Sequence, residues 1–214
     1  MKNNTTEIVF ILDRSGSMSG LEDATISGFN EMLDKQKKVK GNALVSVVLF
    51  DDDAQVIYNR VPVHKVEPLN RKQYRTGGCT ALLDALGSSI NHIGHIHQML
   101  GGECPSHTIF IITTDGLENA SREYTYRKVR HLIQMEQKKY HWEFLFLGAN
   151  IDAIGEASRF GIHGDHAVRF HNDQRGIERN YAGIGEAVSS LRMSGCLSRT
   201  WKEDIEEDYQ SRTE

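Results

Sequence analysis

The sequence predicts an α/β domain of three layers, doubly wound in the Rossmann-like manner. About six mostly parallel strands, one of them an antiparallel edge strand, are expected between helices on both faces. Three observations carry this. Apolar runs of strand length, such as Ile8-Val9-Phe10-Ile11-Leu12, lack the alternation of a half-exposed strand and read as strands covered on both faces. Between them lie segments whose apolar residues recur every three or four positions, the period of an amphipathic helix. The 214 residues, 39% hydrophobic and 25% charged with three prolines, suit one large domain with a sizeable core.

The elements follow in order. Residues 8–12 form the first strand. Leu21, Ala24, Thr25, Gly28, Phe29, Met32 and Leu33 then mark a helix that ends in the basic stretch 35–38 before Gly41. Residues 43–50 form a second strand, and Asp51-Asp52-Asp53 turns the chain into 55–59, so this pair reads as an antiparallel hairpin. Residues 61–79 are irregular, with Pro62, Pro68 and Gly77-Gly78. Leu82, Leu86, Ile93 and Leu100 mark the next helix, 107–113 a buried strand, 123–139 a polar amphipathic helix and 142–147 another buried strand. A short helix near 152–160 precedes a weak edge strand near 167–170. The closing helix carries Ile177, Tyr181, Ile184, Val188 and Leu191. The domain is expected over residues 1–200, with 201–214 an acidic C-terminal tail, solvated or weakly helical.

Charge and composition narrow the function. The formal net charge is -4, and the segment from Trp201 onward, with six acids and two bases, carries all of it. Residues 1–200 balance, so no global field draws the body to nucleic acid or an anionic membrane. No run approaches the ~18 apolar residues of a membrane span, and the first six residues lack a signal-peptide core. Cys79, Cys104 and Cys196 are odd in number and include no Cys-x-x-Cys, which fits a reducing compartment. A cytoplasmic protein is the expectation.

In an open sheet of this kind the ligand crevice lies at the carboxyl ends of the strands, where the winding reverses. With strand order 3-2-1-4-5-6, the ends of the first and fourth strands are neighbours there. Three polar clusters arrive at that place. Asp13-Arg14-Ser15-Gly16-Ser17 follows the first strand, Thr80 stands in Gly77-Gly78-Cys79-Thr80-Ala81-Leu82 at the start of a helix, and Asp115-Gly116 follows the fourth strand. Two carboxylates and three hydroxyls, without His or Cys, are an all-oxygen set of the type hard cations such as Mg²⁺ prefer.

These residues resemble the metal-ion-dependent adhesion site of von Willebrand factor A domains. Asp-x-Ser-x-Ser, then a threonine at a helix start, then Thr-Asp-Gly occur in the family's order, with Thr80 67 residues after Asp13 and Asp115 35 residues after Thr80. Similarity extends through Leu49-Phe50-Asp51, Thr80-Ala81-Leu82-Leu83-Asp84-Ala85 and Thr114-Asp115-Gly116-Leu117-Glu118-Asn119-Ala120, and covers roughly residues 6–194. It is nearest in character to small stand-alone bacterial members, including those associated with tellurite resistance. The resemblance implies Mg²⁺ or Mn²⁺ held by Ser15, Ser17 and Thr80, with Asp13 and Asp115 contacting it directly or through water. It also implies one coordination position left for a Glu or Asp of a protein partner. The expected function is therefore cation-dependent protein–protein recognition by an intracellular adaptor, with no enzymatic activity and no nucleic-acid or membrane partner. A tail carboxylate entering a metal site of its own or a neighbouring molecule would give self-association.

Other readings of the same residues are a Mg²⁺-dependent hydrolase or phosphotransferase using Asp13 as nucleophile, and a scaffold subunit with a structural metal. Asp13 lacks the Asp-x-Asp partner of haloacid-dehalogenase-like phosphatases, since the second position is Ser15. There is no P-loop, His-Glu-x-x-His or Gly-x-Ser-x-Gly sequence. His92, His95 and His97 on one helix, with His107 nearby, make a zinc site imaginable, though surface or packed histidines are the commoner case. Cys79 reads as a small packed residue, and Asp51-Asp52-Asp53 as a solvated turn. Met18 reads equally as a rim to the metal site and as ordinary surface.

Overall fold

In the computed structural model, which describes residues 4–213, one six-stranded sheet has the order β3-β2-β1-β4-β5-β6. Part of the N-terminal stretch scanned for a leader, residues 1–3, and the final Glu214 of the acidic segment lie outside the described residues. Strand β1 (Thr5–Asp13) lies between β2 (Asn42–Phe50) and β4 (His107–Thr114), parallel to both. Strands β5 (Glu143–Ala149) and β6 (Ala167–Phe170) continue in parallel, and β3 (Ala54–Pro62) closes the other edge antiparallel to β2. The three-layer α/β expectation holds, including the antiparallel edge strand.

Every residue of β1 is buried because both sheet faces are covered. Ile8, Phe10 and Leu12 point into a core under α1 (Glu22–Lys38) and α5 (Gln174–Ser194). Val9 and Ile11 point the other way, toward α2 (Leu82–Leu100), α3 (Tyr126–Tyr140) and α4 (Ala153–Phe160). Side chains alternate across a strand, so a continuous apolar run supplies both cores at once. On the first face Phe29 meets Phe10 edge-on at 5.3 Å and Tyr181 at 6.3 Å between ring centroids. Helices α1 and α5 touch closely at Gly28, where a Cβ would lie 2.5 Å from the Tyr181 ring.

Two segments depart from expectation. Helix α3 starts at Tyr126 rather than 123, because the Asp84 carboxylate accepts the backbone N–H groups of Arg122, Glu123 and Tyr124 at 2.7, 3.0 and 2.8 Å. Those bonds hold residues 122–124 outside the helix until Thr125 caps it by accepting from Lys128 N. The acidic segment after residue 200 is docked rather than solvated. It forms α6 (Glu203–Ser211), packed on α5 and β6, with Trp201 and Ile205 3% and 1% exposed. Trp201, Ile205 and Asp208 recur at spacings of four and three, a buried stripe hidden among acids, and Arg175 and Arg212 neutralise the buried Asp208 at 2.6 and 2.5 Å. Among the described residues no helix is long and apolar enough to cross a membrane.

Candidate metal centre

Asp13 is the last residue of β1, and β4 ends beside it at Thr114. The chain then turns so that Ser15 N donates back to Asp13 Oδ1 at 2.7 Å. Backbone bonds Gly16 N to Gly78 O (3.1 Å) and Gly77 N to Arg14 O (2.9 Å) lace this loop to the segment leading into α2. That lacing, with Ala81 N on Asp51 O at 2.8 Å, carries Thr80 to the same end of the sheet. Thr80 is fixed from the other side by Asn119, whose Oδ1 accepts Thr80 N at 2.9 Å and whose own N–H donates to Thr80 O at 3.1 Å.

The structure brings all five sequence-predicted residues together. Ser15 Oγ and Ser17 Oγ are 3.1 Å apart, and Ser17 Oγ donates to Asp115 Oδ1 at 2.5 Å. A Cβ on Gly116 would stand 3.3 Å from Thr80 Oγ1 and 3.8 Å from Ser17 Oγ, so this glycine leaves the space beside both hydroxyls open. Asp13, Ser15, Thr80 and Asp115 are all buried, Asp13 only 2% exposed.

Protein donors among the described residues reach every oxygen of the two carboxylates. Asp13 Oδ1 accepts from Ser15 N, and its Oδ2 from Thr114 Oγ1 at 2.6 Å. Asp115 Oδ1 accepts from Ser17 Oγ, and its Oδ2 from Asn172 Nδ2 at 2.8 Å. None of these donors is a cation. Arg14, the nearest in sequence, turns away to Asp51 at 2.8 Å and Gln55 at 2.7 Å. Burial pushes the Asp13 pKa up; the Thr114 and Ser15 bonds pull it down, and the Asp115 charge adds to the rise. Two buried carboxylates side by side without a positive partner are costly. An all-oxygen set with that charge imbalance fits a hard divalent cation, the chemistry expected from the sequence.

Several contributors had no sequence signal of their own. Thr114 is visible only as the first letter of Thr-Asp-Gly. Asn172, in the turn between β6 and α5, carries no signature. Buried Tyr74 donates its hydroxyl to Asp13 O at 2.5 Å, and only a scan for buried aromatics in the irregular stretch would have raised it. Two minor expectations change. Cys79 is exposed rather than packed, and Met18 is 7% exposed and belongs to the interior. The Asp51–Asp53 turn is solvated as expected, with Asp52 and Asp53 exposed, and it is anchored by Asp51 on Arg14 and by Asp52 Oδ1 accepting Cys79 N at 3.1 Å. The histidines scatter. His97 is buried 3.4 Å from Glu7, and His92 lies 3.1 Å from Asn59 Oδ1. Among the described residues no three His, Cys, Asp or Glu side chains are grouped to hold a metal, a class that a two-aspartate cluster does not enter.

No protein-family model matches the chain, and no curated protein matches it. Solved structures do resemble it. Proximal thread matrix protein 1 from the mussel byssus aligns with 86% of this chain at 16% identity and a TM-score of 0.58. The ArnB paralog VWA2 from Sulfolobus acidocaldarius aligns with 86% at 17% identity and 0.52. A von Willebrand factor type A protein from Catenulispora acidiphila aligns with 87% at 16% identity and 0.55. This chain spans 46%, 45% and 43% of those chains, under half of each. At these identities the likeness is one of fold, and the fold this chain adopts is that of the von Willebrand factor A domain.

Proposed function

We propose that the protein is a divalent-cation-dependent protein–protein interaction module, and that the cluster at the ends of β1 and β4 is its metal-ion-dependent adhesion site. One observation carries the reading: each oxygen of Asp13 and Asp115 accepts a protein hydrogen bond, and among the described residues no positive side chain is paired with either. Ser15, Ser17 and Thr80 are the residues that would hold Mg²⁺ or Mn²⁺, with the aspartates acting as anions through water. Bound there, the cation supplies a Lewis-acidic position for a partner carboxylate, and neutral hydroxyl ligands leave its charge largely unspent.

The chain's own residues do the positioning. Thr114 and Ser15 N hold Asp13, Asn119 aims Thr80, and Gly116 keeps the approach clear. The engagement of both Asp13 oxygens, together with burial, supports an orienting role over a nucleophilic one. The partner chemistry is an exposed Glu or Asp of a protein. A second copy is eligible through Glu203 or Glu207, exposed acids of α6. Three free cysteines, Cys79 and Cys196 exposed, support placement in a reducing cytoplasm.

The test is Mn²⁺ titration, followed by affinity capture in Mg²⁺ and in EDTA, for wild type and Thr80→Ala. Saturable Mn²⁺ uptake and a partner retained only by wild type in Mg²⁺ are expected. A wild type without Mn²⁺ uptake in the millimolar range overturns the reading.

A further inference from the structure

Asp115 is held by two bonds of different origin. One comes from Ser17 within the cluster itself. The other comes from Asn172, 57 residues further along the chain and outside the motif that drew attention to the site. Among the described residues the Asn172 amide has no second anchor, because its Oδ1 is buried without a hydrogen-bond partner. Its orientation is therefore set by the Asp115 bond and by the backbone on either side.

That backbone is clamped at both neighbours, one clamp coming from α6 and the other from Arg212, the residue that caps its C-terminus. The His171 ring stacks on Tyr209 at 4.6 Å between centroids, and His171 Nε2 lies 3.2 Å from Tyr209 O. Asp173 caps α5 by accepting Gly176 N at 2.8 Å, and its other oxygen takes Arg212 Nη1 at 2.5 Å. Arg212 in turn reaches back to the buried Asp208 at 2.5 Å. The turn is also closed on itself, since a Cβ on Gly176 would fall 2.0 Å from His171 O.

We infer that Asn172 is a positioning residue for Asp115, and that α6 secures it through His171–Tyr209 and Asp173–Arg212. The inference rests on the cation reading above. Asn172 contributes by holding one Asp115 oxygen in place, leaving the other to orient the Ser17 hydroxyl. Outer partners of this kind typically change metal affinity ~10–100-fold when removed.

Mn²⁺ binding to the full chain, measured by electron paramagnetic resonance, tests it in four proteins: wild type, Asn172→Ala, Arg212→Ala and the double variant. Thermal melting in EDTA checks that each is folded. Asn172→Ala should bind at least ~10-fold more weakly than wild type. Arg212→Ala, remote from the cluster, should weaken binding in the same direction. In the Asn172→Ala background it should cost nothing further, an epistasis that general loosening of the fold would not produce. Unchanged or tighter binding by Asn172→Ala overturns the role of Asn172. Arg212→Ala with no effect, or with an effect that adds fully to Asn172→Ala, overturns the link to α6. Absence of Mn²⁺ binding in wild type is a different result, which removes the cation reading and this inference with it.

Discussion

The Thr114 hydroxyl donates to Asp13 Oδ2 at 2.6 Å, joining the last residues of two adjacent parallel strands through their side chains. The same Thr114 oxygen accepts Gly116 N at 3.2 Å, so one hydroxyl both steadies a buried carboxylate and shapes the turn that carries Asp115. Replacing it by the isosteric Thr114→Val leaves Asp13 one donor short. A loss of about 1–3 kcal/mol in unfolding free energy is expected, measured by urea denaturation in EDTA. A stability equal to wild type would mean that the bond is matched by solvent.

Cation uptake by the folded state alone must raise its stability by linkage. At a Mg²⁺ concentration 100 times the dissociation constant the gain is about 2.7 kcal/mol. Melting wild type in Mg²⁺ and in EDTA should separate the two curves, and Thr80→Ala should bring them together. Equal shifts in both proteins would place the ion elsewhere.

Glu136, on α3, is 3% exposed and its Oε2 has no hydrogen-bond partner among the described residues. Burial pushes its pKa above the ordinary carboxylate value, against smaller opposing effects of His97 and Lys139. A carboxyl whose folded pKa is raised costs no stability below its unfolded pKa. The cost grows as pH rises through the interval to the folded pKa and stays constant above it. Glu136→Gln should therefore be more stable than wild type at neutral pH, by about 1 kcal/mol. The difference should vanish in acid below the ordinary carboxylate range. Melting curves across pH decide it, and a gain that persists in acid would contradict the account.

Trp201 is 3% exposed and precedes α6, with its Nε1 donating to Asp165 O at 3.3 Å. Trp201→Ala removes a large buried ring and should cost about 3–5 kcal/mol. Limited proteolysis should then cut near residue 200 well before the rest of the domain. Simultaneous cleavage throughout would mean that α6 and the sheet unfold as one unit.

The strands and the polar clusters beside the elements were legible because both rest on local patterns, while the strand order that brings those clusters together was a premise that the sheet bears out. Runs of apolar residues mark strands buried twice over; Asp13, Ser15, Ser17 and Asp115 lie at or just after the ends of such runs, and Thr80 stands at the start of a helix. What escaped reading depends on pairing across distance. Asn172 and Tyr74 act through single bonds to residues far away in sequence, and no spacing announces them. The start of α3 was displaced by Asp84, a side chain on another helix. In α6, composition misled: five acids between 203 and 208 outweighed the stripe of Trp201 and Ile205, although the stripe decides where the helix sits.

The Ser17–Asp115 and Thr114–Asp13 bonds close loops of 98 and 101 residues. No fragment of ordinary peptide length contains the cluster, and a ribosome makes its first member long before its last. At about 5–20 residues per second, Asn172 follows Asp13 by on the order of ten seconds. Throughout that interval the emerging chain has acidic and hydroxyl side chains but no assembled cradle. Until Asn172 is made, Asp115 lacks one of the two side chains that hold it.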